Sequence, residues 1–448
     1  MTRAATALSF PSAASCRLHM PSRRIAVALA FVCVALTGDV RLAWAQETPG
    51  PASTPRSDSA TARTTAATSR GTSTDARLQY PAWLADSYVG LRVGYLNNPF
   101  SALQLEPGAT TSAVRVPPTT FAVALFGHEF GRYVAAETTY IRPARFLTYE
   151  DVNGTGIDHS VWMAFGTFTV KGRIPVSPRV TLHGDVGLAL SSRRGFDLGG
   201  VPIVRDDHLR SIILGAGIDV QRTPHWGLVA DVSFIPANEA HRQPRALYVA
   251  AGIRYTMRRL PDARLAAAEE TNHVFPAHMV QLGIGTGTAY GVSHFVSHTV
   301  PIFWGGHVDV GPGLAGDYLQ NVFHTPRVFA LDIGVRAATW RSRVDRTSFN
   351  TFSAYPRLRF MLLHRPLADL YAWYAVAGPT VISQLVVDGQ PIGTNHFIFQ
   401  DAIGVGAFLG RDRHLIVGAS VSHFSNGNLE TRNPGMRVPL TIDIGYAF

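Results

Sequence analysis

From Trp83 onward, apolar residues alternate with small or polar ones in short segments separated by Gly, Pro, Asn and Asp. Val89, Leu91, Val93 and Tyr95 alternate with Gly90, Arg92 and Gly94. Val180, Leu182, Val186 and Leu188 alternate with His183, Asp185 and Gly187; Leu214, Ala216, Ile218 and Val220 with Gly215, Gly217 and Asp219. Leu247, Val249, Ala251 and Ile253 alternate with Ala250, Gly252 and Arg254. A period of two sends successive side chains to opposite faces of a strand, and this period recurs about eight times between residues 80 and 258. No helical period stands out. The pattern stops at 259–275, R-L-P-D-A-R-L-A-A-A-E-E-T-N-H-V-F, which reads as a linker with room for a short helix. It restarts with Val280, Leu282 and Ile284, and further strands are expected near 300–310, 326–341, 349–365, 370–384, 396–410, 414–426 and 439–448.

The fold class implied is all-β: two consecutive antiparallel transmembrane β-barrels of about eight strands each, 80–258 and 276–448. Barrels of this size have little internal room, so the glycine-rich and charged face suits the lumen and the apolar face suits lipid. Arg92, His183, Asp185, Asp219 and Arg254 fall on that inner face and are expected to pair there. A soluble sandwich would bury the apolar face instead, and one sixteen-stranded barrel has the same strand count; the break at 259–275 favours two barrels.

Residues 1–45 look like a signal peptide, with Arg23 and Arg24 before an apolar run, Ile25 to Thr37, too short to span a bilayer. Ala43-Trp44-Ala45 is a small-x-small cleavage site, so the mature chain is expected to begin at Gln46. Met20 is an alternative start. Residues 46–79, rich in Ser, Thr, Ala, Pro and Arg, read as a disordered linker. Both cysteines, Cys16 and Cys33, lie in the leader, which excludes disulfides, thiolate metal sites and cysteine nucleophiles from the mature chain. The net charge of +9 is arginine-based, Lys171 being the one lysine, and no basic cluster has the spacing that nucleic-acid binding requires. The 17 histidines include no ligand spacing such as H-E-x-x-H, so no metal or cofactor is expected.

The most informative stretch is the last, Ser422 to Phe448. Leu440, Ile442, Ile444, Tyr446 and Phe448 form an amphipathic strand ending on an aromatic carboxyl terminus, as outer-membrane barrels do. Upstream, His423 and Ser425 stand two residues apart and so share one face of a strand, roughly 7 Å apart along it. They have the parity of Leu415, Val417, Ala419 and Val421, which faces lipid; Ser420 and Ser422 face the lumen. Even strand number keeps both barrel termini periplasmic, which places residues 423–426 at the outer leaflet.

His423-Phe424-Ser425-Asn426, followed by Asn433-Pro434-Gly435 and the aromatic terminus, resembles the lipid A 3-O-deacylase (PagL-like) family of outer-membrane esterases. The run from Phe397 to Gly406 is similar to that family's penultimate hairpin, and the first barrel is OmpA-like in texture only. The resemblance implies Ser425 as nucleophile, His423 as general base and Asn426 near the oxyanion. It also implies lipid A of lipopolysaccharide as substrate, the outer membrane as location, and the barrel-assembly machinery as partner through the strand ending at Phe448. The family is expected to supply an acid just after N-P-G, where this chain has Met436, Arg437 and Val438. Two substitutes exist. Glu430 lies in the loop between the seventh and eighth strands and could fold back. Asp401 falls directly across from His423 if Arg411-Asp412-Arg413 forms a tight turn; a register one residue off would turn it into the lumen. The missing acid keeps a degenerate, lipid-binding or structural barrel in contention with the esterase, and a transport pore is the third reading.

Overall fold

The computed structural model describes residues 75–269, 275–299, 306–427, 429–430 and 433–448. The expected leader and residues 46–74 lie outside them. Eight antiparallel strands build the first barrel: β1 (Ser87–Asn97), β2 (Thr119–Glu129), β3 (Val134–Pro143), β4 (His159–Pro175), β5 (Val180–Arg194), β6 (Asp207–Gln221), β7 (Trp226–Ile235) and β8 (Ala246–Thr256). Each pairs with its chain neighbour, and β8 pairs back on β1 to close the sheet. Two short strands, Ala113–Arg115 and Leu147–Glu150, extend the edge of β4 beyond the barrel.

The second barrel is built from β9 (His278–Thr286), β10 (Val308–His324), β11 (Phe329–Ser342), β12 (Ser348–Arg365), β13 (Ala368–Ile382), β14 (Phe397–Leu409), β15 (Leu415–Ser425) and β16 (Met436–Ala447). It closes through β9 and β16, where His278 and Phe448 exchange backbone hydrogen bonds of 2.8 and 2.9 Å. The chain is therefore all-β with two closed eight-stranded barrels.

The greasy parity faces outward in both. Val93, Val186, Leu214 and Val249 are exposed on the first barrel, as are Leu282, Leu314, Val405 and Ile444 on the second. A closed barrel leaves no unpaired sheet edge in hydrocarbon, so an apolar exterior of this kind fits a bilayer. The lumens are filled. In the first, Arg92 is paired with Glu137 (3.0 Å) and Asp231 (2.6 Å), Arg254 with Asp219 (2.9 Å), and His183 approaches Asp231 (3.3 Å). Toward the outer end this charged layer gives way to an apolar one containing Leu96, Ile141, Phe165, Ile213, Ile235 and Tyr248. In the second, Asp332 lies between Arg357 (3.3 Å) and Arg359 (2.9 Å), and Asp317 pairs with Arg336 (2.7 Å).

Three details depart from the sequence expectation. Residues 75–79, read as the end of a disordered segment, contain a 3-10 turn, Ala76–Leu78, capped by Asp75. Arg77 donates to the Phe275 carbonyl (2.9 Å) and Tyr80 stacks on Phe323 (4.4 Å), so this segment lies across the periplasmic mouth of the second barrel. Helix α1 (Asp262–Glu269) falls in the linker where room for a short helix was expected, whereas α2 (Tyr290–Thr299), after β9, was not expected. The strand expected near 300–310 instead starts at Val308 and runs to His324. Val292, Phe295 and Val296 do have helical i, i+3, i+4 spacing, but over one short segment that signal is easily lost among strands.

Candidate active site

The hairpin β14–β15 positions the key side chains. Its turn places Arg413 at φ +60° and Gly410 at +88°, and Leu409 then pairs with Leu415. The ladder runs without a slip to Asp401 opposite His423 and Phe399 opposite Ser425. Because β15 is regular along β14, His423 and Ser425 keep the outward parity of Leu415 and Val417, while Ser420 turns inward to Asp443 (3.2 Å). Asp401 shares the outward face with Phe397 and Val405.

Asp401 Oδ2 lies 3.8 Å from His423 Nδ1. Its other oxygen accepts a 2.7 Å hydrogen bond from the backbone N–H of Ala377. That N–H is available because β13 bulges against β14 between Ala375 and Gly378, with Ala377 at φ +44°. An alanine in this left-handed region is strained, and an anionic acceptor on its N–H offsets part of the cost. Asp401 thus clamps a bulge and faces the imidazole.

The other candidates are placed differently. Glu430 accepts hydrogen bonds from the Thr394 N–H (2.6 Å) and hydroxyl (2.7 Å), which joins two outer loops and directs its carboxylate away from the role of partner to His423. Glu430→Gln should leave the urea midpoint of unfolding in detergent nearly unchanged, because an amide still bridges the loops. The Asn426 side-chain amide donates to the Ile392 carbonyl (3.3 Å), and its backbone N–H to Asn433 (3.3 Å). The Gly427 N–H, unmarked in the sequence reading, points to Ser425 Oγ at 3.4 Å.

Arg437 pairs directly across from His423 on the other side. Its guanidinium is held by Asp309 Oδ1 at 2.6 and 2.8 Å, and Asp309 also binds Arg343. The pairing is possible because β9 stops at Thr286. Above it β10 and β16 meet in a short parallel bridge, Val308 with Met436 and Asp309 with Arg437. Asp309 is remote in sequence and carries no motif, so nothing pointed to it.

His423 and Ser425 face outward yet are only 3% and 8% exposed. Beside them Val296 of α2 packs with Tyr374, Val376, Ile403 and Val421 on the outer wall. The site is therefore a polar set on a lipid-facing wall, with a helix packed on the wall next to it.

Two closed barrels with apolar exteriors and periplasmic termini define an outer-membrane protein. Residues 329–438 match the family Lipid A 3-O-deacylase (PagL), and the C-terminal barrel is PagL-like. No curated protein matches the chain. Among solved structures, the outer-membrane enzyme PagL aligns at 14% identity over 38% of this chain and 99% of its own, with a TM-score of 0.27. Ail, the attachment invasion locus protein of Yersinia pestis, aligns at 14% over 38% and 98% (TM-score 0.26), and Neisserial surface protein A at 15% over 38% and 97% (TM-score 0.25).

Proposed function

We propose that the second barrel is an esterase that removes an ester-linked acyl chain from lipid A by a serine–histidine mechanism. The observation that carries this is the shared outward face of His423, Ser425 and Asp401 inside a segment matching the lipid A deacylase family. A serine hydroxyl is a weak nucleophile at neutral pH without an adjacent base. His423 takes the Ser425 proton as Oγ attacks the ester carbonyl, and returns it to the departing sugar oxygen. Water then cleaves the acyl-serine by the same base. Asp401 Oδ2 faces Nδ1 at 3.8 Å, beyond hydrogen-bond length; on this reading it closes on Nδ1 in the complex with substrate, leaving the other nitrogen for Ser425. The Gly427 N–H, directed at Ser425 Oγ, is better placed to donate to the tetrahedral oxyanion than the Asn426 side chain, which donates to the Ile392 carbonyl.

The same reading takes 1–45 as a removed signal peptide, 46–74 as a tether, and the strand ending at Phe448 as the element engaged by the barrel-assembly machinery. A catalytically silent, lipid-contacting barrel is the competing reading, favoured by Arg437 directly opposite His423. Mass spectrometry of lipid A from cells expressing the protein separates them. Loss of one hydroxyacyl chain, absent with Ser425→Ala, supports the esterase. Unchanged lipid A in the presence of correctly folded protein refutes it.

A further inference from the structure

The first barrel has no part in the chemistry described so far, yet one of its walls faces the site. Strands β5 and β6 reach the outer side of the membrane at Arg194 and Asp207, the same side as the Ser425 end of β15, because both barrels start and finish in the periplasm. Arg194 has the parity of Leu182, Val186 and Leu188, and Arg210 that of Ile212 and Leu214, all exposed, so both arginines project from the outer wall. The Arg210 guanidinium donates to the carbonyl of Leu429, four residues beyond Ser425 in the loop that carries Glu430. At the other end of that loop the His307 N–H bonds the Pro434 carbonyl (2.9 Å). Burial lowers the His307 pKa, and the nearby Arg194 and Arg437 guanidiniums lower it further against the opposing pull of Asp206. Two arginines of the first barrel therefore bracket the loop that follows the candidate nucleophile.

Neither is held in an ion pair, although Asp206 pulls electrostatically on Arg194 from beyond that range. Among the described residues no carboxylate stands within 4 Å of either guanidinium. Arg194 lies over the Trp162 ring at 5.6 Å, and the nearest acids are engaged elsewhere: Asp206 accepts the Gly195 N–H (2.8 Å), and Asp207 faces His241 and Arg193. On the second barrel the comparable arginines, Arg343 and Arg437, are already tied to Asp309. An arginine on a lipid-facing wall is costly at the bilayer midplane and tolerated at the interface, where it meets headgroups. A guanidinium presents a fork of donors that fits phosphate oxygens, and a single carbonyl is a poor substitute for an anion.

We propose that the first barrel completes the substrate site of the second, Arg194 and Arg210 binding a phosphate on the headgroup of the glycolipid whose acyl ester reaches Ser425. This rests on the esterase reading for the chemistry but makes a separate claim about recognition. It also gives the fused first barrel a role: its wall supplies specificity beside the loop that follows Ser425.

Binding tests it without turnover. The full chain carrying Ser425→Ala, in detergent micelles, is titrated with bisphosphorylated lipid A and with the same lipid after enzymatic dephosphorylation. The phosphorylated lipid should bind at least about tenfold more tightly, and Arg194→Gln/Arg210→Gln on that background should reduce the preference below about threefold. Arg194→Lys/Arg210→Lys, which keeps charge but loses the fork, should retain part of it and guards against a folding defect. Equal affinity for the two lipids, or a preference that survives the Gln pair, overturns the proposal. So does inorganic phosphate binding as tightly as the lipid. Since no acyl chain is cleaved in these assays, failure here is distinct from failure of the esterase reading, which the lipid A mass measurement decides.

Discussion

Asp401→Asn should slow deacylation by about 10²–10⁴-fold while the barrels still fold and insert. The two oxygens of Asp401 serve different neighbours: one accepts the Ala377 N–H at 2.7 Å, the other faces His423 Nδ1 at 3.8 Å. Asparagine keeps a carbonyl oxygen for the bulge, so the backbone at φ +44° retains its acceptor. On the proposed mechanism it loses the negative charge that would orient the imidazole and stabilise its protonated form. Asp401→Ala would remove both functions and confuse them. The measurement is initial rate on lipid A in micelles, with heat-modifiable gel migration as the check on folding. An unchanged rate in folded Asp401→Asn would mean that His423 and Ser425 work as a dyad and that Asp401 is only the bulge clamp.

The largest effect on stability is expected from Asp332→Ala. Asp332 is wholly buried in the lumen of the second barrel, accepting from Arg359 at 2.9 and 3.0 Å, from Arg357 at 3.3 Å and from Asn321 at 3.0 Å. Without it, two guanidiniums that are themselves buried face each other with no anion between them. Breaking a buried pair in this way costs about 3–5 kcal/mol, because the remaining charge stays desolvated. The variant should unfold at clearly lower urea concentration in detergent, or fail to reach the folded, heat-modifiable form. Wild-type resistance in the variant would show that water or a neighbouring carboxylate such as Asp317 takes over the arginines.

The strands were legible because a barrel wall separates two solvents, and every second residue reports which one it meets. Val93, Val186, Leu214 and Val249 carry that signal without ambiguity, and Arg92 and Asp219 carry the converse on the lumenal parity. The β14–β15 register was legible for a local reason, since a tight turn between Gly410 and His414 determines every pairing above it. What escaped depends on contacts between distant segments. Asp309 meets Arg437 only because β9 ends early. The Ala377 bulge follows from a mismatch between β13 and β14 that no residue advertises, alanine being a poor marker of positive φ. Helix α2 hides in a run whose apolar residues suit a strand equally well, and its docking depends on where the wall beneath it happens to be apolar.

The break between Thr256 and His278 has a consequence for affinity rather than architecture. On the outer side one arginine on a loop carbonyl is a slight contact, whereas at the periplasmic rim Leu84 and Met257 pack with Phe323 and Leu331, and Tyr80 stacks on Phe323. A short covalent connection at the periplasmic rim raises the local concentration of one wall beside the other to about the millimolar range. Within one chain, a weak outer contact such as Arg210 on the Leu429 carbonyl is then enough to keep the two walls side by side.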